Sequence, residues 1–79
     1  MPTETIRAIL AKHSKLDLDF STLNEDADLY AAGLTSLTTV NIMLALEDAF
    51  DVEFPDSKLN RKTFQSIASL KDVIGELTA

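Results

Sequence analysis

Ser36 is the side chain best placed for chemistry in this sequence, because it stands where a helix should begin. Gly33 lies just before it, and apolar residues recur after it at helical spacing. These are Leu37, Val40, Met43, Leu44, Leu46 and Phe50. We therefore predict that Ser36 is a helix N-cap, accepting a hydrogen bond from the backbone amide of Thr38 or Thr39 and stabilising the helix by roughly 1 kcal/mol.

The same exposed hydroxyl could instead carry a phosphate ester. A helix N-terminus presents free amides and a partial positive charge, which suit a phosphodiester anion. The sequence has no cysteine, so any reactive thiol must come from a cofactor. His13 is the single histidine, and a Ser-His-Asp triad would need it to reach Ser36. We place His13 on the apolar side of a first helix and do not favour an enzyme.

The acidic stretch before Ser36 partly matches an EF-hand calcium loop. The matching side chains fall at loop offsets 1, 3, 5, 9 and 12: Asp17, Asp19, Ser21, Glu25 and Asp28. The strict positions fail, because Thr22 replaces the glycine of the sharp turn and position 12 is an aspartate rather than the longer glutamate. We therefore expect no specific metal site.

Gly33-Leu34-Thr35-Ser36-Leu37 resembles the phosphopantetheine attachment region of the acyl carrier protein family. There a glycine, an apolar residue, usually an aspartate, the modified serine and a leucine or isoleucine follow one another; Thr35 replaces the aspartate. FPDSKLNRKTFQSIASLKDVI resembles the short third helix and the fourth helix of carrier proteins. More narrowly, LYAAGLTS with FPDSKLNRKTFQSI is similar to small stand-alone carriers that bear amino acids.

The resemblance implies a non-catalytic carrier. A phosphopantetheinyl transferase with magnesium would attach 4′-phosphopantetheine from coenzyme A to Ser36, and the cargo would ride as a thioester. In the aminoacyl subgroup a discrete ligase resembling aminoacyl-tRNA synthetases loads the arm, and downstream acyl-transfer enzymes accept the cargo. Fatty acyl or polyketide cargo stays open. So does an unmodified helical interaction domain, for which Thr35 is the best argument.

Charge is distributed unevenly in this chain of net charge −6. Residues 17–35 and residues 36–56 each hold five acidic and no basic side chains. This disfavours nucleic acid, whose binding depends on lysine and arginine, and favours partners with basic surfaces. We expect Leu34 and Leu37 to anchor the serine loop. The expected partner contacts are Leu34, Thr35, Leu37, Glu47, Asp48 and Asp51.

A chain of 79 residues predicts one domain, 1–79, with a small core. We predict an all-α four-helix bundle of acyl-carrier type, with a long loop between helices 1 and 2 and a short third helix. Helix 1 should run from Pro2 to near Ser14, followed by a loop over 15–34 with a helical turn near 25–30. A helical turn should follow over 56–60, then a link over 61–63 and a last helix capped by Ser66.

The helix after Ser36 has two apolar stripes, which we expect to be mostly core: Leu37, Val40 and Leu44, and Met43, Leu46 and Phe50. The more solvent-exposed side of this helix should carry Asn41, Glu47 and Asp48. The sequence shows neither a signal peptide nor an apolar run of membrane-spanning length. We expect a cytoplasmic monomer that binds no membrane.

Overall fold

The computed structural model describes residues 2–78, and this part of the chain is helical without any strand. Helix α1 spans Pro2–His13, α2 spans Ser36–Phe50, α3 spans Arg61–Phe64 and α4 spans Ile67–Thr78. A 3₁₀ turn over Asp56–Lys58 precedes α3. The predicted four-helix fold, with its long first loop and short third helix, is confirmed.

The core lies between α1, α2 and α4, with α1 contacting both of the other helices. Each helix supplies residues three or four positions apart, as one face of a helix requires. The side chains that are almost inaccessible to solvent are Ile6, Leu10, Ile42, Leu46, Ile67, Leu70 and Ile74. None of the helices described is long and apolar enough to cross a membrane.

The long loop between α1 and α2 is tied to the bundle by hydrogen bonds at several points. The Arg7 guanidinium donates to the carbonyl oxygens of Phe20 and Leu23. The Leu29 amide donates to the Gln65 carbonyl at 2.7 Å, just before α4. Phe20, Leu29 and Leu34 are buried in the core. The turn expected over 25–30 is present as short turns at 25–26 and 29–33, so the loop is an ordered support for Ser36.

The connection from α2 to α4 differs from the prediction in one element. The helical turn expected over 56–60 is a 3₁₀ turn at 56–58, but the expected link over 61–63 is wrong, because these residues form α3 itself. Asn60 is the reason: its Oδ1 accepts the Thr63 amide at 3.0 Å and caps the helix. The predicted Ser66 cap is confirmed, since Ser66 Oγ accepts the Ser69 amide at 3.1 Å.

The prediction that both apolar stripes of α2 are core is wrong for one of them. Leu37 is 75% exposed, Val40 49% and Leu44 53%. Helix α2 buries Ile42 and Leu46 instead, with Met43 and Phe50 half-buried beside them. The four residues of α3 make one turn, too short to cover the outer side of a 15-residue helix. The structure therefore leaves an apolar stripe open next to Ser36.

Candidate functional site: the start of α2

Ser36 is exposed and is the first residue of α2. The prediction that it caps the helix is wrong, because the cap is Thr35, whose backbone is extended at φ −112° and ψ 163°. Thr35 Oγ1 accepts the Thr38 amide at 3.3 Å, and Thr38 Oγ1 accepts the Thr35 amide at 3.1 Å. Threonine and serine are both good N-caps, so residue type alone could not choose between neighbours.

Because Thr35 and Thr38 cap α2, the Ser36 hydroxyl is not needed to stabilise the start of the helix. Thr39 also bonds within this turn, its Oγ1 donating to the Thr35 carbonyl at 2.7 Å. No side-chain hydrogen bond found within residues 2–78 involves Ser36. No acidic side chain lies in the first turn of α2, so the partial positive charge of this helix end has no neighbouring carboxylate on the helix. The geometry offers an exposed nucleophilic oxygen beside amides that suit a phosphate.

The loop before Ser36 is fixed from within by Gly33 and Leu34. Gly33 has φ +120°, a conformation that L side chains rarely adopt, and a Cβ there would lie 3.0 Å from the Leu16 side chain. Leu34 is 7% exposed, and its amide donates to the Leu29 carbonyl at 3.0 Å. The predicted anchoring by Leu34 is confirmed. With 7% of its surface exposed, Leu34 offers a partner little contact area in this structure.

The remaining expected contacts fall into exposed and structural groups. Thr35, Asp48 and Asp51 are exposed and accessible to a partner, as is Leu37, although its predicted anchoring role is wrong. Glu47 is half-buried, and its Oε2 accepts the Phe54 amide at 2.8 Å. The Glu47 carboxylate thus holds the turn after α2, a role that sequence spacing did not indicate.

A groove runs from Ser36 between α2 and α3, with a volume of about 360 Å³. Its lining includes Ser36, Val40 and Met43 of α2 and Arg61 and Phe64 of α3. Tyr30 closes one side, and the Arg61 guanidinium carbon lies 4.3 Å from the centre of the Tyr30 ring. Sequence reasoning missed Tyr30 and Arg61 as site residues, because 31 positions separate them and no local pattern joins them.

In the acidic loop before Ser36, aspartate carboxylates accept hydrogen bonds from the loop's own backbone amides. Asp19 Oδ1 accepts the Ser21 amide at 3.1 Å as well as the Ser21 hydroxyl, and these bonds hold the Asp19 pKa below its ordinary value. Asp28 Oδ1 accepts the Tyr30 amide at 2.9 Å. Within residues 2–78, no three histidine, aspartate or glutamate side chains cluster so as to hold a metal ion.

A family model described as "Phosphopantetheine attachment site" matches residues 4–74. The chain belongs to this family. Its members carry covalent 4′-phosphopantetheine and are generally non-catalytic. An exposed, uncommitted serine hydroxyl at a helix start, with a groove beside it, fits that group.

Aminoacyl carrier proteins are similar to this chain in sequence and in fold. It is 53% identical over 70 residues to an aminoacyl carrier protein of Agrobacterium fabrum, covering 89% of this chain and 84% of the relative. A carrier protein from Agrobacterium tumefaciens, crystallised with an engineered Bradyrhizobium japonicum glycine:[carrier protein] ligase and ATP, is 49% identical. It superposes with a TM-score of 0.91, over 96% of this chain and 99% of that one.

A more distant solved structure shows a related carrier with cargo attached. It contains a Bradyrhizobium japonicum glycine:[carrier protein] ligase with glycylated carrier protein, at 29% identity and a TM-score of 0.77. The match covers 91% of this chain and 96% of that one. The chain is therefore a homologue of aminoacyl carrier proteins, as its resemblance in sequence predicts.

Proposed function

We propose that Ser36 is the attachment residue and that the chain is a non-catalytic aminoacyl carrier. The observation that carries this proposal is that Thr35 caps α2, whereas the neighbouring Ser36 stays exposed. The Ser36 oxygen attacks the pyrophosphate of coenzyme A in a transferase with magnesium, and adenosine 3′,5′-bisphosphate leaves. The serine proton passes to a base of the transferase. Once attached, the arm supplies a thiol that holds cargo as a thioester.

Residues of this chain hold and present the attachment point. Thr35 and Thr38 fix the first turn of α2, and the amides of this turn that the cap does not use suit the phosphodiester. Leu34 pins the preceding loop to the core. Thr35 is also placed to meet the transferase, because it is exposed one residue before Ser36.

The cargo we propose is an amino acid, delivered by a discrete ligase that consumes ATP. Support comes from the aminoacyl carrier of Agrobacterium fabrum and from the carriers crystallised with glycine ligase. Eight aliphatic side chains of the core are less than 2% exposed, so a long acyl chain would lie in the open groove beside Ser36 rather than between them. Fatty acyl or polyketide cargo is the second candidate, favoured only by the apolar lining of that groove.

The ligase surface we propose is the outer side of α2. It combines the exposed apolar stripe of Leu37, Val40 and Leu44 with the exposed acids Asp48 and Asp51. Apolar area supplies the affinity, whereas the acids steer a basic partner and speed its encounter. We further propose that residues 1–79 act as one monomeric domain in the cytoplasm, where coenzyme A and ATP are supplied.

Loading by a ligase tests this function. The phosphopantetheine form is incubated with a glycine:[carrier protein] ligase, ATP and single amino acids, and intact mass is followed. We expect a gain of one aminoacyl group that hydroxylamine removes, as a thioester requires. Loading by an acyl ligase with a fatty acid, and by no amino acid ligase, would overturn the aminoacyl assignment. The unmodified protein is the control and should gain nothing.

A further inference from the structure

The groove beside Ser36 has an unusual charge for this protein. The chain carries a net charge of −6, yet among the described residues the one charged side chain that lines the groove is Arg61. Neither ion pair found within residues 2–78 involves Arg61, since these are Lys58–Glu76 and Lys71–Glu25. An exposed guanidinium without a carboxylate partner thus shares a groove with the serine that receives a phosphate.

The Arg61 side chain is held in place by contacts within the protein itself. Asn60 caps α3 and Arg61 is the first residue of that helix. The guanidinium lies over the Tyr30 ring with 4.3 Å between its carbon and the ring centre, which is a cation–π arrangement. Stacking of this kind restricts a long side chain and leaves the edge of the planar guanidinium free to donate. Arginine binds phosphate through such paired N–H donors.

We propose that Arg61 binds the phosphodiester formed at Ser36, and that the first part of the arm then lies in the groove over Val40 and Met43. This proposal rests on attachment at Ser36. The groove, at about 360 Å³, lies at the small end of ligand pockets, which run from about 300 to 1,000 Å³. Its occupant is the arm itself because the arm is tethered to a residue of the groove wall. The apolar dimethyl segment of pantetheine suits the walls, and the negative phosphodiester suits Arg61.

Isotope-filtered NMR tests the proposal directly. Protein with ¹³C-labelled valine and methionine methyl groups is converted to its phosphopantetheine form by a transferase with magnesium and unlabelled coenzyme A. Its intact mass is checked first. We expect nuclear Overhauser effects from the geminal methyls of the arm to Val40 and Met43. In Arg61→Gln these should weaken by up to about fivefold, since one solvent-exposed ion pair changes the equilibrium of the arm between groove and solvent by at most about that factor. Lys62→Gln is the matched control, since it removes the same charge from the neighbouring exposed residue outside the groove lining.

The outcomes separate this proposal from the assignment of Ser36. A folded protein that gains no arm, or gains it elsewhere, overturns both. A fully converted protein without arm contacts to Val40 and Met43 overturns only the groove proposal. Equal contacts in Arg61→Gln and Lys62→Gln overturn the role of Arg61. Because Arg61 is exposed, its variant should keep the helical circular dichroism of the wild type.

Discussion

The hydroxyl oxygens of Thr35 and Thr38 lie 3.0 Å apart, and each also accepts the other residue's backbone amide. This reciprocal pair closes the first turn of α2 and satisfies two amides that a helix start otherwise leaves to solvent. Ser36 lies between the two threonines in sequence and is exposed. The helix start is therefore stable whether or not the Ser36 oxygen is esterified.

Removing the Thr35 cap should lower the free energy of unfolding more than removing the neighbouring Ser36 hydroxyl. We expect Thr35→Ala to lower the free energy of unfolding by roughly 0.5 to 2 kcal/mol, and Ser36→Ala, the control, to leave it nearly unchanged. Thr35→Asp keeps a capping oxygen and adds a charge favourable at a helix N-terminus, so it should stabilise the unmodified protein by about 0.3 to 1 kcal/mol. Urea unfolding measures all three. A larger loss for Ser36→Ala than for Thr35→Ala would assign the cap to Ser36.

Two leucines of α2, two positions apart, should respond differently to truncation. Leu46 is fully buried, and Leu46→Ala should lower the free energy of unfolding by about 2 to 5 kcal/mol. Leu44 is 53% exposed, and Leu44→Ala should cost less than about 1 kcal/mol while weakening loading by the ligase. Denaturant unfolding and a loading assay check the pair. Equal destabilisation would place Leu44 in the core, as its spacing in sequence predicted.

Sequence reasoning succeeded for the long helices and for the anchoring of the serine loop by Leu34. Helix α1 begins at Pro2 and ends at His13, close to the predicted bounds, and Leu34 is buried as its anchoring role requires. Sequence reasoning failed on the exposed stripe of α2 because periodicity identifies apolar faces but not whether a neighbouring element covers them. The decisive fact is that α3 has four residues, and its start at Arg61 is set by the Asn60 cap. The Tyr30–Arg61 contact needs the tertiary fold and has no local signal.

Charge reversal on α2 should slow the ligase only when the charge is exposed and near its docking surface. We expect Asp48→Lys to reduce the loading rate about fivefold at low salt, through slower encounter. The effect should shrink above 0.1 M salt, where the screening length is about 10 Å. Asp72→Lys on α4 makes the same charge change at another exposed residue and serves as control. Equal slowing by both variants would indicate a general charge effect rather than docking at Asp48.

Glu47 is unsuitable for the same experiment, because its carboxylate accepts the Phe54 amide. Charge reversal there would remove a structural hydrogen bond together with the charge. A loss of loading in Glu47→Lys would thus mix folding with docking, whereas Asp48 separates them.

The stability of the loop around Asp19 should fall at acid pH. Hydrogen bonds from Ser21 hold the Asp19 pKa below its ordinary value of 3.8. The bonds therefore stabilise the loop above that value, and this contribution is lost as pH falls through the lower pKa of the folded state. An NMR titration of the Asp19 carboxyl should show Ser21→Ala raising its pKa more than Thr22→Ala does, since the Thr22 bond has the smaller effect. An Asp19 midpoint at or above 3.8 in the wild type would contradict this account.

The most direct test of the central claim is the intact mass of the wild type and of Ser36→Ala after incubation with a broad-specificity phosphopantetheinyl transferase, magnesium and coenzyme A. We predict a gain of one phosphopantetheine on the wild type and none on Ser36→Ala, with both proteins equally helical. A gain on Ser36→Ala would move the attachment to Thr35, Thr38 or Thr39. No gain on a folded wild type with several transferases would contradict the carrier function and favour an unmodified interaction domain.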